Sequence, residues 1–206
     1  MDRPAAPPEL TEIGLDDITM RFCPAPEVWA WVEREVLDES GNLHNPDHLH
    51  LQGADVAVLW AGTCFTKQGR TVVGQAELVA FRAGGWQKAR MERQMVDWFG
   101  HVPEVVITLA ADYCSQCSDT EFCALVEHEL YHVAQETDQY GAPKFRRDGR
   151  ASLAMRAHDV EEFVGVVRRY GAGAEVQRLI DAAKGPPEVA RLDIARSCGT
   201  CLLRAA

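Results

Sequence analysis

The 206-residue chain has no run approaching the roughly 18 consecutive apolar residues that cross a bilayer, so no membrane span is expected. Its first ten residues, MDRPAAPPEL, lack the apolar stretch of a secretory leader, and none is expected. Basic residues are not in excess: Lys and Arg number 21 against 31 Asp and Glu, a formal net charge of −10. That balance sets the expectation against nucleic acid or an anionic membrane as partner. An even cysteine count is also missing. The seven cysteines, without a leader, read as metal ligands or free thiols in a reducing cytoplasm, not as disulfides. No internal repeat is visible.

What remains is an ordinary globular composition, 47% hydrophobic and 25% charged. The length suffices for one ample core and is short for two domains. Residues 1–20 carry prolines without periodicity and read as a flexible tail. A helix is expected from Pro26, with Val28, Val32 and Val36 at helical spacing and Gly41 past its end. Residues 54–60 and 71–81 read as two strands of a hairpin whose connection includes TKQGR. A helix over 86–99, with Met91, Met95 and Trp98 on one stripe, and a third strand over 104–110 follow.

Ser118 and Glu121 then form a capping-box pattern, opening a helix expected to run to about Gly141. That helix contains His128-Glu129-Leu130-Tyr131-His132. Histidines four apart lie one turn apart on one face, where one metal can take both. Val126, Leu130, Val133 and Ala134 supply the apolar stripe, which places the histidines at its border. Glu129 beside them can take a proton from the attacking water and pass it to a leaving amine. The bland alternative is a pair of half-exposed histidines on an amphipathic helix.

A catalytic zinc needs a third protein ligand. His158, at the start of a helix expected over 158–170, is the preferred candidate, and Glu161 is the rival. Glu162 or Asp159 can instead orient a histidine ring, or merely favour the helix dipole. Cys114 and Cys117, with Cys198 and Cys201, make two C-x-x-C pairs that together can form a structural zinc site. A redox pair and unremarkable thiols are the alternatives. His44, Asp47, His48 and His50 sit in a loop where solvated or capping histidines are the commoner reading. Arg146, Arg147, Arg150 and Arg156 read as a solvated face, and Tyr131, Tyr140 and Tyr170 as candidates for stabilising an oxyanion.

HELYH, followed by HDVEEFVGVVRRYG and preceded by VVITLAADY, resembles the phage metallopeptidase family and, more distantly, SprT-like minimal zincins. The resemblance covers roughly residues 25–171. It implies an α+β, zincin-like fold, with a small mixed β-sheet packed on an active-site helix between flanking helices. It implies Zn2+ as cofactor, His128, His132 and His158 as ligands, Glu129 as general base, and a protein or peptide substrate. The expected organisation is a tail over 1–20, a metallopeptidase domain over 21–172 and a helical extension over 173–206. A phage-encoded enzyme of this kind would work in the cytoplasm of a bacterial host. A non-catalytic binding module with a structural metal, or a hydrolase of a non-peptide bond, stand as the other functional classes.

Overall fold

The computed structural model describes residues 2–11, 21–67, 69–160 and 164–187. Among these the architecture is α+β, a small mixed sheet with several helices. Helix α1 (Pro8–Thr11) buries Leu10, and residues 2–11 pack on the region of Cys114 to Asp119. Strand β1 (Phe22–Pro24) leads into α2 (Pro26–Val32), where Pro26 fills a first-turn position needing no N–H. The helix continues as a wider turn over Glu33–Leu37 that buries Val36 and Leu37. A Cβ at Gly41 would meet the carbonyl oxygen of Glu35 at 2.3 Å, so only glycine lets the chain double back there.

Strands β2 (Val56–Ala61), β3 (Phe65–Lys67), β4 (Arg70–Val72) and β5 (Gly74–Leu78) come next, then helix α3 (Gly85–Phe99) and strand β6 (Val105–Ala110). The main sheet has the order β1-β2-β6-β5, with β2 and β6 parallel and the outer strands antiparallel to them. The expected hairpin between residues 54–60 and 71–81 is therefore replaced: β6 lies between those two segments. VVITLA, buried on both faces, suits the centre of a sheet, whereas β5 with Gln75 and Glu77 suits an edge. The TKQGR stretch instead belongs to a separate ribbon of β3 and β4. None of the α3 side chains is fully buried, and Trp98 meets Phe22 at 5.9 Å between ring centroids. Its expected apolar stripe is a half-covered one.

Helix α4 (Ala111–Gln116) turns the chain off β6 into α5 (Asp119–Tyr131). Ahead of the expected end near Gly141, α5 stops at His132 and the chain becomes β7 (Val133–Gln135). Strand β7 pairs antiparallel with β8 (Leu153–Met155), and single bridges join Thr137 to Pro143 and Phe145 to Ala151. Turn chemistry explains the early stop. The Asp138 carboxylate accepts from the N–H groups of Tyr140 (2.8 Å) and Ala142 (2.9 Å), and Gly141 takes a positive φ of 83°. Helices α6 (Val164–Tyr170) and α7 (Ala174–Lys184) close the described chain. The helix expected from His158 is described from Val164 onward, and His158 precedes it in a segment without regular structure.

A candidate metal centre on helix α5

The helix carrying HELYH is fixed at its start by both halves of the capping box. Ser118 Oγ accepts from the Glu121 N–H at 3.3 Å, while Glu121 accepts from the Ser118 N–H at 2.8 Å. Phe122, Leu125, Val126 and Leu130 are buried against the sheet, which sets the rotation of the helix. That rotation leaves His128 half-buried, places His132 at the border of the core, and takes Glu129 fully inside at 0% exposure.

His158 reaches the same place by a longer route. The β7–β8 ladder pairs Val133 with Met155, and one step further the Arg156 N–H donates to the His132 carbonyl at 2.8 Å. In return, His132 Nδ1 lies 2.8 Å from the Arg156 carbonyl oxygen. A carbonyl can only accept, so Nδ1 carries the proton and, in the neutral ring, Nε2 keeps its lone pair. This is how a ligating imidazole is ordinarily oriented from behind. Two residues beyond Arg156, His158 turns its Nε2 to within 3.3 Å of His128 Nε2, and His128 and His132 Nε2 atoms are 3.0 Å apart.

The donor atoms of all three imidazoles lie within 4.8 Å of one another. Nitrogens bound tetrahedrally at 2.0–2.1 Å would be about 3.3 Å apart, so the spacing and the all-nitrogen chemistry fit a borderline transition ion. Among the described residues no other group of three potential ligands comes together. The histidines border a cleft of about 200 Å³ together with Tyr131, Arg156 and Asp159. Arg156 and Asp159 form an ion pair at its mouth.

The loop Pro46–Leu51, a 3-10 turn, braces the seam between α5 and β7. Tyr131 donates its hydroxyl proton to Asp47 at 3.0 Å, and Asn45 bridges Tyr131 (3.1 Å) and Glu127 (2.6 Å). His50 Nε2 reaches the Val133 carbonyl at 2.7 Å. Contrary to the solvated reading, His48 is fully buried, and neither ring nitrogen has a hydrogen-bond partner among the described residues. Its ring lies edge-on to Tyr131 at 4.5 Å. Burial first, and His50 nearby, push its pKa down to about 4, with Asp47 opposing. Its role is packing, and only a contact pattern between distant segments reveals it.

Of the remaining candidates, Glu161, Glu162, Cys198 and Cys201 lie outside the described residues. Cys114 and Cys117 sit beside Arg3, which donates to their carbonyls at 3.0 and 2.8 Å and lies over the Phe122 ring at 5.0 Å. Mutual hydrogen bonding, then Arg3, holds the Cys117 thiol below its usual value, while the same bond and burial raise Cys114. Tyr140 and Tyr170 are exposed and do not border the cleft. Arg146 and Arg150 are ion-paired with Glu104 and Asp148, which accounts for much of the basic face.

An α+β scaffold with three convergent imidazoles, and a buried carboxylate between two of them in sequence, defines a candidate histidine metal centre. The family model described as putative phage metallopeptidase matches residues 29–184, and the chain belongs to that family. The match takes in all three histidines and Glu129. No curated protein and no solved structure matches the chain.

Proposed function

We propose that this protein is a zinc metallopeptidase of the zincin kind, with His128, His132 and His158 as ligands and Glu129 as general base. The observation that carries the reading is the convergence of three imidazoles, two of them from the helix that also carries the fully buried Glu129. Zinc, when bound, supplies a Lewis acid that polarises a carbonyl and lowers the pKa of water to roughly 7. The remaining work falls to the chain itself. Arg156, through its carbonyl, holds His132 in the ligating tautomer. Glu129 takes the proton of the attacking water and returns it to the leaving amine. The scissile peptide would lie extended along a sheet edge, held by main-chain hydrogen bonds. β5 is the edge strand that packs on α5. Tyr131 borders the cleft, but its hydroxyl proton is donated to Asp47, so in this arrangement it has none to offer an oxyanion.

The substrate class is protein or peptide, and the setting is the cytoplasm of a bacterial host. No described helix is long and apolar enough to cross a membrane. Purified protein should carry near-stoichiometric zinc, and Glu129→Gln should keep that zinc while losing hydrolysis of labelled casein by about a hundredfold or more. Protein without zinc would remove the enzyme reading. Zinc retained by His158→Ala but lost by Glu161→Ala would reassign the third ligand. A second equivalent of zinc would support the site of Cys114, Cys117, Cys198 and Cys201, and a single equivalent would remove it.

A further inference from the structure

Glu129 is fully buried, and the edge strand β5 packs against its carboxylate. Strand β5 pairs with β6 in a register that sets Gly74 opposite Leu109, and alternation puts Gly74 on the same face as the buried Ala76. A Cβ built at Gly74 would lie 2.7 Å from Glu129 Oε1, 3.2 Å from its Cδ and 2.9 Å from Leu125 Cδ1. Real carbons do not approach so closely. No positive φ is found at Gly74, so backbone conformation does not demand glycine there. The demand comes from the carboxylate.

We infer that Gly74 is a positioning residue for Glu129: its missing side chain is the space into which the carboxylate fits. All three atoms a Cβ would meet belong to the ends of two flexible side chains, not to backbone. An alanine at this position therefore displaces the carboxylate and Leu125 while the strand stays paired. The consequence is a folded protein with an intact set of histidines and a general base moved off its line. This inference rests on Glu129 being the base, but the contact itself can be tested without that assumption.

Two readouts separate the cases. In the zinc-loaded enzyme, Gly74→Ala should retain zinc and lower kcat on labelled casein at least tenfold with KM little changed, a fraction of what removing the base entirely would cost. In a thermal-unfolding cycle on metal-free protein, Gly74→Ala should lower the midpoint clearly beside Glu129 and much less beside Glu129→Ala. If Gly74→Ala fails to fold, the same double variant decides: folding restored by Glu129→Ala supports the inference, and folding not restored overturns it. Full activity of Gly74→Ala alongside an inactive Glu129→Gln would overturn the inference and leave the base assignment standing. Additive midpoint shifts would also overturn it. An active Glu129→Gln would instead remove the base assignment, with the unfolding cycle still reporting on the contact.

Discussion

Residues 118–132 and residues 133–158 deliver imidazoles to the same point by different means. The first segment is one capped helix, its position fixed by a buried apolar face, and it brings His128 and His132 together through the helical repeat alone. The second leaves the helix, runs out through a largely exposed arm and returns along β8 to set His158 beside them. In the first, spacing in sequence is spacing in space. In the second, the placement depends on a strand register and a turn, so His132 and Arg156 become neighbours across 24 residues. Two of the three imidazoles are thus anchored by a helix packed on the core, and the third hangs on a ladder of few hydrogen bonds. Local opening should concentrate in the second half.

The largest effect is expected from removing the arm's one imidazole. His158→Ala should weaken zinc binding by more than about 100-fold, beyond what loss of an outer hydrogen-bond partner causes, and leave metal-free stability nearly unchanged. Isothermal titration against a competing chelator reads the first quantity and thermal unfolding the second.

The seam between the two regions should respond to acid. His48 packs on Tyr131, and its folded pKa of about 4 lies below the ordinary 6.5. The unfolded chain therefore binds more protons between these values. The His48 contribution to stability is nearly complete above about pH 6.5 and is lost as pH falls toward 4, by about 2 kcal/mol between pH 7 and 5. Denaturant unfolding at the two pH values should show His48→Leu losing about that much less than the unmodified protein.

Smaller effects should separate by region. Ser118→Ala removes the cap of α5 and should lower global stability by about 1 kcal/mol, without selective loss of zinc affinity. Asp138→Ala removes two acceptor contacts at the tip of the arm. It should cost about 1 kcal/mol locally. Amide exchange over 133–155 should quicken, and zinc affinity should fall by at most about fivefold. If Asp138→Ala lowered the global midpoint as Ser118→Ala does, the two regions would unfold as one unit and the contrast would fail.

The sequence made the first region legible and much of the second opaque, for the same reason. Ser118, Glu121, the apolar positions Val126 and Leu130, and the two histidines all interact within one or two turns, so spacing alone located them. The parallel pairing of β2 with β6 was not legible, since it depends on which strand tolerates burial on both faces. Neither was the end of α5: Val133 continues the helical stripe, and it was the Asp138–Gly141 turn that favoured a ladder over another helical turn. His158 stands out as a residue type, but its place in an irregular stretch just beyond strand β8, instead of on a helix, does not. Gly74 and His48 carry no local signal. Their roles exist only through contacts with Glu129 and Tyr131 far along the chain.

X-ray absorption at the zinc edge of the purified protein reports whether the three imidazoles hold one metal. The expected result is a shell of imidazole nitrogens at about 2.0–2.1 Å that loses one imidazole or disappears in His158→Ala. A spectrum dominated by sulfur at about 2.3 Å, or a nitrogen shell unchanged in His158→Ala, would contradict it.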